Sequence, residues 1–516
     1  MTVYVAEVTA YDPDLGEEVV LLFSTDVGFA TAPTDTPANT EVLPVIIQPA
    51  MVKRDAHATG KIGGASTVGV GELVLNNSAG ALDAFGRYAV DGRAIKIRYA
   101  ASRHVPYPAG YTSLFSGTME QAETHLNRII VRLRDRQVFT VKPLNTNKYL
   151  GTNVLPNGLE GIETDLKGKP KPRVFGWVSN IEPVLVNTSR LIYQVNDGPI
   201  RDVVALYDSG STFVHGPDYA DLDALQNEEP EPRTYRVYKA GGYFRMGSAA
   251  SGHVTCDVVE GLTPADRTVA QIFKRVYTGP AGQSLFTLSS AHITALDAQN
   301  RASVGHYWRE EIEIQQALDE ICASAGARWG DDADGIMEIE RLEAPAGEPV
   351  LTITGAIISD NSFRVVPMDE RNGGLPDYRV TVRGCRNYTV QTTGLAGNVS
   401  AARRARLAQP FQDSDATDLT ILDAYKLAGQ RIVETHFVCH ARLGVEAARL
   451  LAMLKVRRKR VELTIKVDLD TMALIRMYAV VRLTYPRYEF GDGKLMRILG
   501  YQLDPRGQRV HLTLWG

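Results

Sequence analysis

Alternation with a period of two is the feature that most narrows what this chain can become. Ile95, Ile97 and Tyr99 alternate with Lys96 and Arg98 just after the turn pair Asp91-Gly92, and Ile129, Val131 and Leu133 alternate with Ile130, Arg132 and Arg134. Successive side chains of an extended strand point to opposite faces, so the pattern predicts antiparallel sheets with one buried face and one wet face. Val68, Val70, Leu73 and Leu75 mark a further strand-rich stretch before Asn76-Asn77. The same signature returns at the far end, in Val461, Leu463, Ile465 and Val467 and again in Val510, Leu512 and Leu514.

One core cannot hold all of this. The chain has 516 residues, and single hydrophobic cores stop growing at roughly 250–300 residues. The run Lys167-Gly-Lys-Pro-Lys-Pro-Arg173 is a proline-stiffened connector, unsuited to a helix or a central strand, and marks a boundary. Beyond it lie Leu191-Ile-Tyr-Gln-Val195, the turn Asn196-Asp197-Gly198 and Val203–Tyr207, then the acidic, solvated stretch Asp221–Arg233. Four parts are expected: an N-terminal β domain (1–165), a β-rich insertion (166–262), an α+β helix-hairpin domain (263–360) and a C-terminal β domain with one helix (361–516). Residues 25–44 lack periodicity and read as a long loop.

Helical periodicity is clearest in two places. Apolar positions 314, 317, 318, 321, 322 and 325 follow an i, i+3, i+4, i+7 rule that ends at Gly326, and a hairpin through Asp331-Asp332-Ala333-Asp334-Gly335 follows. In the last part, Val445, Ala448, Leu451 and Ala452 are the expected apolar stripe of a helix that runs into Lys455-Val-Arg-Arg-Lys-Arg460, cations suited to a helix C-terminus.

Composition excludes several classes. With 56 Lys+Arg against 60 Asp+Glu the formal net charge is −4, so no global field draws the chain to nucleic acid. No apolar run approaches the roughly 18 residues of a membrane span, and no secretory leader is evident at the N-terminus. The four cysteines, Cys256, Cys322, Cys385 and Cys439, have no paired spacing, which fits neither a disulfide framework nor a zinc ribbon. No short-period repeat indicates a solenoid or propeller.

Candidate chemistry is sparse. His436, Cys439 and His440 have metal-ligand spacing for a helix, but Ile432, Val433, Thr435, Phe437 and Val438 read as a strand, in which 436 and 439 diverge. The aspartates before Gly335 lack the distal glutamate of a calcium loop and read as a hairpin turn. Gly60-Lys61-Ile62-Gly63-Gly64 and Gly69-Val70-Gly71 lack the Gly-Lys-Ser/Thr ending and following helix of a phosphate loop. Cys322 sits mid-stripe on an apolar helix face, and no Gly-x-Ser-x-Gly elbow or His-Glu-x-x-His helix occurs. Lys455, Arg457, Arg458, Lys459 and Arg460 form a local basic patch without interleaved aromatic stacking partners.

Three segments resemble siphophage tail-tip or baseplate hub proteins, including those of gene transfer agents. The first is Ala441–Gly516: an alanine-rich helix ending in Leu-Ala-Met-Leu, basic residues, an alternating strand, Val480-Val-Arg-Leu-Thr-Tyr-Pro-Arg487, Lys494-Leu-Met-Arg-Ile-Leu-Gly500 and His511-Leu-Thr-Leu-Trp515. The second is Lys169-Pro-Lys-Pro-Arg-Val-Phe-Gly176 with Leu191–Val195, Asp197-Gly198 and Val254-Thr-Cys-Asp257, similar to a β insertion of those hubs. The third is Ile314–Leu342, similar to their helix-plus-hairpin unit. One departure stands out: Tyr478-Ala479 replaces the Gly-Asp pair that the family often carries before the last Val-Val.

The resemblance implies a fold that is mainly β with α+β parts and multidomain: two barrel-like, tube-type β domains, at the two ends of the chain, plus a β-rich insertion and a helix-hairpin domain. It implies a non-enzymatic virion protein of the tail tip or baseplate, assembled in the host cytoplasm, with no cofactor and no membrane insertion of its own. Its expected form is a homotrimer presenting a pseudo-sixfold ring to a hexameric tube. The expected partners are distal tail or tail-tube proteins, other baseplate or tip proteins and the tape-measure protein, with transient passage of DNA. Alternatives are a receptor- or carbohydrate-binding tip protein, for which Tyr207, Tyr219, Tyr235, Tyr238 and Tyr243 are the interaction candidates, and a tail-associated peptidoglycan hydrolase.

Overall fold

The computed structural model describes residues 2–56, 64–279, 287–366 and 376–516. Most of Gly60-Lys61-Ile62-Gly63-Gly64 therefore lies outside the described residues, while Gly64 begins the short strand Gly64–Ala65. The fold is mainly β with several sheets and few helices, and it is multidomain.

The N-terminal sheet has nine strands in the order Phe29–Ala30, Glu41–Leu43, Glu17–Ser24, Val3–Asp12, Ala94–Ala100, Thr112–His125, Arg128–Arg134, Leu73–Asn76 and Ile46–Gln48. Ile95, Ile97, Tyr99, Ile129, Val131, Leu133, Leu73 and Leu75 are buried, as the alternation predicts. The stretch 25–44 is not wholly irregular: Phe29–Ala30 and Glu41–Leu43 pair with each other, and Glu41–Leu43 extends the sheet by a parallel pairing to Glu17–Ser24. Periodicity is invisible in strands of two or three residues.

The C-terminal sheet has eight strands, ordered Leu351–Thr354, Val480–Thr484, Lys494–Asp504, Arg509–Trp515, Arg460–Lys466 and Arg364–Val366, with Val52–Asp55 and Thr67–Val70 attached. Val52–Asp55 runs antiparallel to Lys494–Asp504, in the register Gly500 to Asp55 and Leu503 to Val52. An early segment thus completes the last sheet. Gly64–Ala65 likewise pairs in parallel with Ala327–Asp331 of the hairpin. Among the described residues neither large sheet closes into a barrel; both end on short strands that leave edges open.

One apolar cluster runs through both large sheets, the helix Val269–Tyr277, the helix Ile314–Ala323 and the helix His440–Leu454. The Ile314 stripe is buried at Ile314, Ala317, Leu318, Ile321 and Cys322, and Gly326 takes a positive φ of 62° past the helix end. The second stripe requires correction. Val445 is 62% exposed, and Ala448 and Ala452 are exposed. The buried face is instead Leu443, Ala447, Leu450, Leu451 and Leu454. Those leucines recur at helical spacing and carry more apolar area than Val445 and two alanines, so they turn to the sheet. Glu446, on that face, is buried as well and pairs with Arg341 and Arg449.

Residues 173–259 supply nine of the ten strands of two five-stranded sheets. Val178, Ile181, Leu206 and Cys256 of one share an apolar cluster with Tyr235, Val237 and Phe244 of the other. The edge strand Gly305–Trp308 joins the first sheet through Arg173–Ile181, with Gly176 opposite Gly305. Both glycines are required there: a Cβ on Gly305 would stand 1.6 Å from the Trp177 carbonyl oxygen, and one on Gly176 would stand 1.9 Å from that of Val304. A three-stranded sheet, Gln412–Thr417, Asp377–Gly384 and Gly429–Glu434, packs beneath the helix His440–Leu454.

The Tyr478-Ala479 pair, where a Gly-Asp pair was expected, falls at a backbone position that favours glycine. Tyr478 adopts φ 56°, the left-handed conformation that glycine fills most easily. Its ring is buried, with the Arg328 guanidinium carbon 5.1 Å from its centroid, and its carbonyl accepts from Arg497 Nη1 at 2.7 Å.

Candidate functional site

The basic run is mostly consumed within the chain. Lys455 lies 3.3 Å from Asp418, Lys459 lies 3.2 Å from Glu489, and Arg460 lies 3.4 Å from Glu462. Arg458 stacks its guanidinium over Trp515 at 5.2 Å. Arg457 is exposed, with no ion-pair, hydrogen-bond or ring partner among the described residues. The run is therefore a helix exit held by partners within the chain, and among the described residues only Arg457 has none. Near Arg460, the solvent face of the C-terminal sheet forms a groove of about 420 Å³ lined by Lys53, Arg364, Glu462, Gln502 and His511 among others.

The tyrosines of the two-sheet unit are largely structural. Tyr235 is 1% exposed, donates to the Val203 carbonyl at 2.9 Å and stacks on His215 with ring centroids 4.7 Å apart. Tyr243 is buried, and Tyr238 packs beside it on the same apolar cluster. Tyr207 donates to Asp257 at 2.8 Å beneath the Arg403 guanidinium, and Tyr219 donates to the Glu228 carbonyl at 2.7 Å beneath that of Arg236. A sugar platform needs exposed ring faces, and Tyr235 and Tyr243 offer none.

The thiols are equally occupied by packing. Burial pushes Cys256 and Cys322 well up, and raises Cys385 to a lesser degree, so these three are poor nucleophiles at neutral pH. Cys439 is exposed and precedes the helix that begins at His440.

The structure separates the three metal-like candidates and gives one of them different company. Strand pairing ends at Glu434, and His436 follows it, with its backbone N–H donating to Ser324 Oγ at 3.1 Å. His440 turns away, its Nε2 lying 3.2 Å from the Asp413 carbonyl. His436 instead packs against His306, ring centroids 4.1 Å apart and the planes tilted by 31°, beside Glu320. Ring nitrogens of the two histidines and a carboxylate oxygen of Glu320 lie within 4.8 Å of one another.

His306 is 1% exposed, and neither ring nitrogen has a hydrogen-bond partner among the described residues. Each such buried polar atom costs on the order of 1–3 kcal/mol. Arg386 Nη1 lies 3.3 Å from His436 Nε2, and an arginine can only donate, so that nitrogen carries the lone pair. Burial first, and the Arg386 guanidinium beside them, push both imidazoles down, His436 to about 3, so both are neutral at pH 7. Glu320 is oriented by Trp308 Nε1 at 3.0 Å and Gln316 Nε2 at 3.2 Å. His436 also lines a cavity of about 190 Å³ with Arg386, Tyr388, Arg406, Gln412 and His440. Sequence reading could not find this cluster, because His436 comes from a turn more than a hundred residues beyond the edge strand and helix that carry His306 and Glu320.

No family model and no curated protein matches the sequence. Among solved structures, the chain is similar to the tail protein from Neisseria meningitidis MC58, with 11% identity, a TM-score of 0.42, and coverage of 99% of this chain and 96% of that one. It is similar to the 43 kDa tail protein of prophage MuSo2 from Shewanella oneidensis, at 10% identity and a TM-score of 0.41, covering 100% of this chain and 96% of that one. Prophage tail protein gp18 from Listeria monocytogenes EGD-e gives 9% identity and a TM-score of 0.41, covering 100% and 94%. A chain in the virion of a native gene transfer agent covers 50% of this chain and 80% of its own length, at 12% identity and a TM-score of 0.20. These four neighbours are phage tail proteins and a gene-transfer-agent virion chain.

Proposed function

We propose that this chain is a structural subunit of a phage-type tail, a tail-tip or baseplate hub that extends or closes the tube, anchors distal tip proteins and has no catalytic role. The observation that carries the reading is the way the two ends of the chain are joined. Val52–Asp55 is hydrogen-bonded into the C-terminal sheet, so the first and last sheets form one framework over a common core. The two-sheet unit at 173–259 has its own apolar clusters and is carried beside that framework. A rigid framework with a lateral attachment suits a ring subunit that must bear load and present a mount.

Open sheet edges support the same reading. Short edge strands such as Ile46–Gln48 and Leu351–Thr354 leave backbone groups that a neighbouring subunit can pair, and ring closure is one way a β-rich protein removes such edges. In this reading three copies form the ring, tape-measure protein and DNA pass through its centre, and tube and tip proteins dock on its two faces. The test is light scattering followed by electron microscopy of the purified chain, alone and mixed with a phage-type tail-tube protein. Rings of threefold symmetry, free or on the tube, are expected. A protein that stays monomeric under both conditions would sink the hub reading.

A further inference from the structure

We propose that His306, His436 and Glu320 form a binding site for a divalent transition-metal ion of the zinc class, which fastens the edge strand Gly305–Trp308 to the helix Ile314–Ala323 and to the turn after Gly429–Glu434. The donor set is two imidazole nitrogens and one carboxylate oxygen, all within 4.8 Å of one another, a spacing that ligands around one ion can meet. Two nitrogens and an oxygen suit zinc, cobalt or nickel better than calcium or magnesium, which prefer oxygen alone.

The independent observation is His306. Its ring is 1% exposed, stacked on Trp308 and tilted against His436, and both nitrogens lack a hydrogen-bond partner among the described residues. A neutral imidazole buried in a core is normally satisfied on at least one nitrogen. A coordinated cation would satisfy one nitrogen of His306. Glu320 already has the supporting shell of a metal carboxylate, with Trp308 Nε1 and Gln316 Nε2 each donating to a different oxygen. His436 opens the site to the 190 Å³ cavity, which gives an ion a route in. Arg386 is the competitor: its guanidinium holds the His436 Nε2 lone pair, and an arriving cation must displace it.

The other carboxylate-imidazole group, Asp202, His215 and Asp218, carries no such inference, because Lys239 lies 2.6 Å from Asp218 and 3.7 Å from Asp202. In that group a lysine ammonium already pairs with both carboxylates, and His215 and Asp218 are exposed.

The experiment is titration of the full chain, stripped with chelator, first with Co²⁺ followed by visible absorption and then with Zn²⁺ as the displacing ion. One equivalent of Co²⁺ should give the intense d–d bands of a four- or five-coordinate site, which Zn²⁺ abolishes. Glu320→Gln and His436→Gln should each weaken binding by at least about tenfold, while His215→Gln leaves it unchanged. Arg386→Gln should tighten binding, because the competitor is gone, a change that no merely structural role of Arg386 would produce. Absence of a one-equivalent Co²⁺ signal, or binding that is indifferent to Glu320→Gln and His436→Gln in correctly folded protein, overturns the proposal. Should those two variants fail to fold, Arg386→Gln decides: tighter binding upholds the site, and unchanged or weaker binding removes it.

Discussion

Replacing Arg328 with alanine tests how the parts are held together. Arg328 is 2% exposed and places Nη2 3.0 Å from carboxylate oxygens of both Glu338 and Glu340. It also lies 3.5 Å from Ser66 Oγ and covers the Tyr478 ring, so one guanidinium touches the hairpin, the early segment and the C-terminal part. Removing one partner of a buried ion pair typically costs about 3–5 kcal/mol, because the remaining charge stays uncompensated. Here two carboxylates remain, but their side chains are 17% and 27% exposed and reach some water. The lower end, about 3 kcal/mol, is therefore expected. Arg328→Lys keeps the charge and loses the planar fork, for about 1–2 kcal/mol. The assay is hydrogen exchange of the amides in 327–341, read peptide by peptide by mass spectrometry, which isolates this junction from unfolding elsewhere. A 3 kcal/mol loss corresponds to exchange faster by about a hundredfold. A triple variant, Arg328→Met with Glu338→Gln and Glu340→Gln, should recover most of the protection, since no charge is then left buried. Exchange altered by less than about tenfold in Arg328→Ala, or a triple variant as labile as the single one, would refute the reasoning.

Two further outcomes follow from single residues. Asp331 is 8% exposed with no hydrogen-bond partner for either carboxylate oxygen among the described residues, and burial, then repulsion from Asp135, pushes its carboxyl up to about 7. The folded state therefore holds this proton more tightly than the unfolded state, so the contribution is full below about pH 4 and is lost as pH rises to 7. Asp331→Asn should match the parent near pH 4 and exceed it at pH 8 by up to about 4 kcal/mol, checked by thermal unfolding across that range; identical pH profiles would contradict the assignment. Gly305→Ala forces a Cβ to 1.6 Å from a backbone oxygen that cannot withdraw, so the strand Gly305–Trp308 should detach, with a loss above about 4 kcal/mol. Circular dichroism and soluble yield would show it, and a normally folded variant would disprove the close approach.

Much of the fold is legible in the sequence wherever a pattern is local. Alternation at Ile95–Tyr99, Ile129–Leu133, Val461–Ile465 and Val510–Leu514 places buried faces correctly, because a strand with one wet side must write its period into its residues. The Ile314 stripe and its stop at Gly326 are legible for the same reason. The helix His440–Leu454 is legible as a helix, but its buried face is not fixed by Val445 and the alanines, since a sheet selects the side with the larger apolar area. Tyrosine and cation clusters misdirect because composition does not say which way a side chain points: Tyr235 and Tyr243 became core, and four of the five cations of 455–460 found partners at home.

What the sequence by itself determined is the class of structure: β-rich, divided into several parts, with a helix-hairpin unit in the middle and no local motif of catalysis. What only the tertiary structure decided is which distant pieces meet. Val52–Asp55 joins a strand near residue 500, Arg328 gathers Ser66, Glu338, Glu340 and Tyr478, and His306 meets Glu320 and His436. Hydrophobic periodicity reports which face of an element is buried, yet it carries no address for the partner. Long-range strand pairing and the convergence of polar side chains are set by the packing of the whole, where shape, buried charge and backbone hydrogen bonds must be satisfied together.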